Sequence, residues 1–233
     1  MEIKDFEDLI LRELKSVVET IIKNNPTQQI SANARAGAEI SDFLEKQFVL
    51  KTQNHKFFKN SESSPNGATK NPWDAMTWFC INNHQELIWI DFKAIKVTGA
   101  DSNPDIGTPD KIINLIKNGD FYLIYIFVYY NQTDTGITFV KNTENELVKL
   151  YFLKDINHTF RRNPKNQLQV NISAKNEYRS REDFIDLLFV KLKESYKRQI
   201  EKAQQALKKI EESKELECLK LKNKEQEDKI KKI

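Results

Sequence analysis

Apolar residues recur at three- and four-residue spacing in four segments, and this spacing predicts helices. The segments are residues 5–23, 32–48, 109–117 and a long final stretch that begins near Arg181. Beyond Glu211 the final pattern gives way to Lys and Glu, which leaves two alternatives: a helix that frays in solvent, or one that pairs with another chain. The apolar positions of this last helix are Ile185, Phe189, Leu192, Tyr196, Ile200, Ala203, Leu207 and Ile210.

Aromatic and β-branched residues are concentrated in shorter segments, which predict strands. A polar connection at residues 82–85 joins the first two, so we expect them to form an antiparallel hairpin. A polar, turn-rich stretch at residues 60–70 comes before the hairpin. The predicted strands are residues 75–81, 86–95, 121–130, 136–140, 148–155 and 167–172.

Charged residues interrupt the second strand of the hairpin. Because side chains alternate along a strand, Phe92 faces one side with its apolar neighbours, while Asp91 and Lys93 project together from the other. An acid and an amine on a core strand are costly without a function. Asp74, at the start of the partner strand, is expected to lie beside Asp91.

Two carboxylates and an amine could hold a divalent metal and place a cation beside its bound water. We expect Asp74, Asp91 and the backbone carbonyl of Phe92 to bind Mg²⁺ and Lys93 to orient or activate the attacking water. The structural alternative is that Asp74 caps a strand and Asp91 and Lys93 form a salt bridge at a sheet edge.

An Asp followed by Asp-X-Lys on the next strand resembles the PD-(D/E)XK nuclease superfamily, and within it the type II restriction endonucleases. The residues that carry the resemblance are Asp74, Asp91 and Lys93, in a helix–hairpin–helix–strand order. Trp73 separates Pro72 from Asp74, so the literal Pro-Asp pair is absent, although proline is not a ligand. The order of later segments is loosely similar to that of the HincII-like restriction enzymes.

The resemblance implies an α/β (α+β) fold with a restriction-endonuclease-like core, in which helices flank a central mixed sheet and a long C-terminal helix follows. Residues 1–190 would form the catalytic domain and residues 191–233 a charged helical extension. The family often places an acid on the helix before the hairpin, which here would make Glu39 a further catalytic residue.

The implied reaction is Mg²⁺-dependent hydrolysis of double-stranded DNA at a short specific site, leaving 5′-phosphate ends. A homodimer is expected, because one active site per chain must cut two strands and a two-fold protein matches a palindrome. Two alternatives stay open: a structure-specific or repair nuclease of the same superfamily, such as a junction resolvase, and a non-catalytic helical interaction protein.

Candidate DNA-binding residues lie in loops and on amide-rich edges, with solvated surface residues as the alternative reading. Amides and hydroxyls can read base edges, whereas cations position the phosphate backbone. The base-contact candidates are Ser102, Asn103, Gln167 and Gln169, and the phosphate-contact candidates are Lys70, Lys96, Arg161, Arg162 and Lys165.

The net charge of the chain excludes few classes of binding partner. The 233 residues carry a net charge of +3, and residues 191–233 contribute +5 of it, which leaves −2 for the rest. Any basic DNA-binding surface must therefore be local. With six glycines and no Gly-rich phosphate loop, no nucleotide cofactor is expected. The start of the chain is not a signal peptide and no apolar run reaches membrane-spanning length, so we expect a cytoplasmic protein with no membrane association.

Overall fold

The computed structural model describes residues 2–30, 36–65, 73–97, 103–119 and 122–230, with side chains described to residue 224. The chain divides into two compact units, Met1–Asp186 and Leu187–Ile233. The first contains both sheets and three complete helices, and the second is helical. The sequence prediction was a catalytic domain over residues 1–190 and a charged helical extension over residues 191–233.

The helices and strands follow the predicted order, with additional short strands. The helices are α1 (Ile3–Asn24), α2 (Ala36–Thr52), α3 (Pro109–Lys117) and α4 (Arg181–Ile230), and one 3₁₀ helix covers Leu153–Asp155. The strands are β1 (Thr27–Gln28), β2 (Phe58–Ser63), β3 (Ala75–Ile81), β4 (His84–Lys96), β5 (Leu123–Thr133), β6 (Gly136–Val140), β7 (Val148–Phe152), β8 (Arg161–Arg162) and β9 (Leu168–Gln169).

Seven strands form one mixed sheet, as the resemblance implied. Their order is β1-β6-β5-β4-β3-β2, and β7 pairs with the other part of β5. Only β4 and β5 run parallel among these pairs, with Asp91 opposite Tyr125 and Lys93 opposite Phe127. The central strand β4 is therefore enclosed by β3 on one side and β5 on the other. Strands β8 and β9 form a separate small hairpin.

The main core lies between the sheet and helices α1 and α2. Apolar side chains of both helices share one buried cluster with Ile88, Ile90 and Phe92 of β4. The Phe92 ring meets the Phe48 ring of α2 edge-on, with ring centres 6.3 Å apart. Strand β5 is buried on both faces, since Tyr125 points the other way and is also fully buried. This packing fixes which face of β4 carries Asp91 and Lys93.

A buried ion cluster joins α1 to the segment after β7. The Lys154 ammonium, 2% exposed, lies 2.9 Å from Glu7 Oε2 and 2.8 Å from Asp155 Oδ1. It also donates a 2.7 Å hydrogen bond to the carbonyl of Arg179. The other Glu7 oxygen accepts from the Tyr122 hydroxyl, and Asp155 Oδ1 accepts from the Arg179 backbone N–H at 3.0 Å. Each charge in this cluster therefore has a partner.

Two predictions about the hairpin region need correction. The turn between β3 and β4 is only Asn82-Asn83, because β4 begins at His84; Asn82 adopts φ 51°, a conformation that asparagine tolerates. The stretch at residues 60–70, predicted as turn-rich, begins inside strand β2. This polar edge strand is held by antiparallel pairing with β3 and by a 2.8 Å hydrogen bond between the Ser61 and Thr77 hydroxyls.

Other element boundaries also differ from the sequence prediction. Helix α2 continues to Thr52, whose hydroxyl donates back to the Phe48 carbonyl at 2.7 Å. The strand predicted at residues 148–155 ends at Phe152 in the 3₁₀ helix, and the strand predicted at residues 167–172 is reduced to β9. No helix in the described part of the chain is both long enough and apolar enough to span a bilayer.

Candidate active site

The position of Asp74 is fixed by the first bonds of the β3–β4 pairing. Ala75 lies opposite Ile90, and the Asp74 backbone N–H donates to the Ile90 carbonyl at 2.7 Å. The Asp74 carboxylate then accepts a 2.7 Å hydrogen bond from the backbone N–H of Phe92. Asp74 therefore stands beside the Asp91–Lys93 segment, as predicted from the hairpin.

Asp91 and Lys93 form an ion pair on the face of β4 opposite Phe92. Lys93 Nζ lies 2.7 Å from Asp91 Oδ2. Asp91 is buried, at 6% exposed, whereas Lys93 is only partly buried. Because β4 is internal, the pair does not lie at a sheet edge, so the structural alternative is wrong on that point. A charged pair inside the sheet is costly to desolvate, which favours a functional reason for it.

Burial dominates the electrostatics of the three residues. It raises the pKa of Asp91 to about 7; the charge of Asp74 adds to this, and Lys93 opposes it. Burial also raises the pKa of Asp74, against the hydrogen bond from the Phe92 N–H. For Lys93, burial lowers the pKa but the attraction of Asp91 and other acids outweighs it, so the net shift is upward. Lys93 is thus a cation, and the two carboxylates would gain from a further positive charge.

The oxygen atoms available around Asp74 and Asp91 are of the kind that Mg²⁺ binds. The N–H and C=O of one strand residue point to the same side, so the Phe92 carbonyl lies on the side where its N–H meets Asp74. The Ser41 hydroxyl of α2 donates to this carbonyl at 2.9 Å, which leaves the second lone pair open. Within the described ranges no group of three His, Cys, Asp or Glu side chains could hold a metal. The donor set that fits is therefore two carboxylates, one carbonyl and water.

The acid predicted on the preceding helix is Glu39, and it lies exposed in the first turn of α2. Glu45, further along the same helix, is partly buried and its pKa is raised, first by burial and then also by the charge of Asp74. A hydrogen bond with Ser63 of β2 opposes the shift. Of these two acids of α2, Glu45 is the one whose pKa the charge of Asp74 raises, and the role of Glu39 stays a prediction.

Two further charged residues act on the site, and sequence reasoning missed both. Lys111 of α3 lowers the pKa of Asp91 by charge attraction, and Asp105 raises that of Lys93. Lys111 lies near the start of a predicted helix. The direction of its side chain depends on how that helix packs, which the sequence does not give. Asp105 lies in the loop after β4, and the Tyr125 hydroxyl holds this loop by donating to the Ile106 carbonyl at 2.6 Å. For Asp105, the only sequence signal was that a polar loop directly follows the Asp-X-Lys strand.

Two segments predicted separately as DNA-binding meet in one surface. We call residues 103–107 together with residues 161–169 the recognition platform. The Ile106 N–H donates to the Leu168 carbonyl and the Leu168 N–H to the Gly107 carbonyl, at 2.8 and 2.7 Å. Gln169 Nε2 donates to Asp105 Oδ1 at 2.8 Å, and Asn163 Nδ2 reaches the same oxygen at 3.4 Å. Residues 161–169 are thereby joined to the loop that follows β4.

The remaining DNA-binding candidates have mixed surroundings. Lys96, at the end of β4, is exposed and bonds Gln132 at 2.9 Å, and Asn103 and Gln167 are partly buried on the platform. Arg161 and Lys165 are exposed, whereas Arg162 is partly buried and its Nε donates to Asn166 at 2.6 Å. Lys70 and Ser102 lie outside the described residues.

A cleft of about 480 Å³ lies near the opposite end of β4, around Glu86. It is lined by Glu7, Tyr122 and Arg181 and does not include the two candidate metal-binding aspartates. Arg181 pairs with Glu86 at 2.9 Å and covers the Tyr122 ring, while Tyr122 donates to Glu7. Glu7, Glu86 and Arg181 in this cleft are thereby paired, which favours the β3–β4 site as the candidate active site.

The chain was compared with family models, curated proteins and solved structures. No curated protein matches the chain. Among solved structures, the NlaIV restriction endonuclease matches with a TM-score of 0.46 and 16% identity, over 82% of this chain and 79% of that one. The family model described as SwaI restriction endonuclease matches residues 2–210, which is most of the chain. The chain therefore belongs to the SwaI-like restriction endonuclease family.

Proposed function

We propose that this protein is a Mg²⁺-dependent type II restriction endonuclease of the PD-(D/E)XK superfamily. It would cut double-stranded DNA at a short specific site as a homodimer and leave 5′-phosphate ends. The observation that carries the proposal is the convergence of Asp74, Asp91 and Lys93 at one point of the β3–β4 pairing. Membership of a restriction endonuclease family supports DNA as the substrate.

Asp74, Asp91 and the Phe92 carbonyl would hold the Mg²⁺ ion. When bound, Mg²⁺ lowers the pKa of a coordinated water and neutralises charge on the phosphate. The chain's own contribution is to keep these oxygens in place. The Phe92 N–H orients the Asp74 carboxylate, and Ser41 fixes the Phe92 carbonyl from α2. The buried Phe92 ring anchors this part of the strand.

Lys93 would orient the attacking water and stabilise the negative charge that develops on the phosphate. Its ammonium lies 2.7 Å from Asp91, which supports this role. The net upward shift of its pKa keeps it charged. A permanently charged lysine acts here through its field and its hydrogen bonds, and less suitably as a general base.

The recognition platform would supply the base contacts. Gln169 and Asn103 carry amides that can pair with base edges, and Arg161 and Lys165 can contact phosphates. The bond from Gln169 to Asp105, whose charge also acts on Lys93, supports a link between base reading and the proposed chemistry. We infer that correct base contact at the platform changes the surroundings of Lys93.

The decisive experiment is cleavage of methylated and unmethylated phage DNA with Mg²⁺ or with EDTA. Discrete fragments that need Mg²⁺ are expected from the wild type and none from Lys93→Ala. Lys23→Ala, an exposed lysine in the last turn of α1 that is not a DNA-contact candidate, is the control and should retain cleavage. End-labelling of the fragments then tests for 5′-phosphates.

Two other results would replace the proposal. Nicking or smearing without discrete fragments would favour the structure-specific or repair nuclease. Absence of cleavage on every DNA, by a protein with a normal circular dichroism spectrum that still binds DNA, would favour a non-catalytic role.

A further inference from the structure

The second unit carries an apolar seam along α4. From Tyr196 to Ile210 the apolar residues are spaced alternately by four and three, which is the spacing of heptad positions d and a. Leu207 and Ile210 are 61% and 65% exposed. Two other exposed leucines, Leu216 and Leu219, lie outside the seam. The seam's apolar members are Phe189, Tyr196, Ile200, Ala203, Leu207, Ile210 and Leu221.

Charged residues occupy the seam near both of its ends. The heptad spacing places Lys193 and Lys214 at a positions and Glu217 at a d position. In a parallel pair of helices in register, each of these residues would face its own copy. Like charges would then meet in three layers of the seam, which disfavours that arrangement.

An antiparallel pair centred on Gln205 removes these conflicts. In that register Ile200 faces the partner's Ile210, and Ala203 faces the partner's Leu207. At the ends, Lys193 faces the partner's Glu217. Apolar residues therefore meet at the centre, and opposite charges meet toward the ends.

The outer layers of this register are complementary as well. Phe189 faces the partner's Leu221, so the seam closes on apolar residues at each end. Tyr196 faces the partner's Lys214, whose methylene stem can pack along the ring with its ammonium toward solvent. Beside the seam, at the e positions, Lys197 faces the partner's Glu211.

We propose that the helix of residues 187–224 is a self-association surface that pairs antiparallel with the same helix of a second copy, centred on Gln205. The partner is a second copy because the seam matches its own reversed sequence, with Ile200 facing Ile210 and Lys193 facing Glu217. A surface of this kind is self-complementary under two-fold symmetry. The proposal concerns association alone and holds whether or not the first unit cleaves DNA.

Disulfide cross-linking distinguishes the two directions of pairing. Cys80 and Cys218 are first replaced by serine in the full chain. Ala203→Cys and Leu207→Cys are then made as separate proteins, one of them carrying an affinity tag, and oxidised alone or mixed. The antiparallel register predicts a cross-linked dimer from the mixture and little from either protein alone. Cross-linking within either single preparation, or in none of the three, would overturn the proposal.

A charge exchange tests the register without new thiols. Lys193→Glu alone should raise the dimer dissociation constant roughly ten-fold, because two attractive layers become repulsive. Adding Glu217→Lys should restore it to within about three-fold of wild type. Lys209→Glu, at a c position outside the seam, is the matched control and should change little.

Sedimentation equilibrium of the full chain without DNA or Mg²⁺ gives these constants, and circular dichroism checks that helix content is retained. An unchanged constant in Lys193→Glu, or no recovery in the double variant, would refute the register. Cleavage is not measured, so a failure here leaves the proposed nuclease function standing, and a failure of cleavage leaves this result standing.

Discussion

Replacing Lys154 with methionine should destabilise the first unit by about 3 kcal/mol. Breaking a buried ion pair by removing one partner generally costs about 3–5 kcal/mol, because it leaves an uncompensated charge. In Lys154→Met the carboxylates of Glu7 and Asp155 would lose an ammonium that lies 2.9 and 2.8 Å away. Glu7 keeps the hydrogen bond from the Tyr122 hydroxyl, and Asp155 keeps the one from the Arg179 backbone N–H. We therefore expect a loss of stability near the lower end of the range of about 3–5 kcal/mol.

Urea unfolding followed by tryptophan fluorescence measures this cost directly. All three tryptophans, Trp73, Trp78 and Trp89, lie in the first unit, so the signal reports that unit alone. The matched variant adds Glu7→Gln to Lys154→Met, which removes one of the two unpaired charges and should recover about half of the loss.

The pH dependence of the loss follows from Asp155. Burial raises the pKa of this carboxyl, against the attraction of Lys154, so the folded state binds the proton more tightly than the unfolded state does. Its contribution to stability is therefore largest at low pH and is lost as the pH rises through the folded pKa. Removing Lys154 should raise that pKa further, so the loss should be largest at neutral pH and shrink in acid. A loss under 1 kcal/mol at pH 7, or one that grows as the pH falls, would refute this reasoning.

Three other changes test the candidate site. Lys93→Ala should lower the cleavage rate at least about 100-fold without loss of DNA binding, measured by plasmid linearisation and by gel shift. Asp91→Asn should abolish Mg²⁺-dependent cleavage yet raise the free energy of unfolding in EDTA by about 1–3 kcal/mol. The pKa of Asp91 is raised although Lys93 lies beside it, so burial penalises this charge by more than the ion pair offsets; equal or lower stability in urea would contradict this. Gln169→Ala should weaken binding to the specific site by about 1–3 kcal/mol and leave binding to unrelated DNA unchanged, by competition titration; equal weakening on both DNAs would count against base reading.

The centre of the site could be predicted from sequence because its determinants are local. The alternation of apolar residues along β4 separates Asp91 and Lys93 from Phe92, and a short hairpin leaves little freedom in where Asp74 lies. The bounds of α3 were also correct, since Pro109 at its first position and its periodic apolar residues mark the helix clearly.

The missed features depend on contacts between distant parts of the chain. Strand β2 lacks an apolar signal and exists through pairing with β3. Which acid of α2 approaches Asp74, Glu39 or Glu45, depends on how the helix is rotated on the sheet, and composition does not fix that rotation. The hydrogen bond between Gln169 and Asp105 joins residues far apart in sequence, so no local sequence pattern predicted the recognition platform.

The separation between β4 and the recognition platform bears on how such an enzyme can change its target. Strand β4 carries the candidate catalytic residues at the centre of the sheet, where a substitution disturbs both neighbouring strands. The candidate base-contacting residue Gln169 instead lies on a two-stranded ribbon that meets the loop at Asp105 through a few hydrogen bonds. Surface loops accept substitutions and changes of length at little cost in folding. If Gln169 reads bases, substitutions on the ribbon would change the DNA target while Asp74, Asp91 and Lys93 keep their places on β3 and β4.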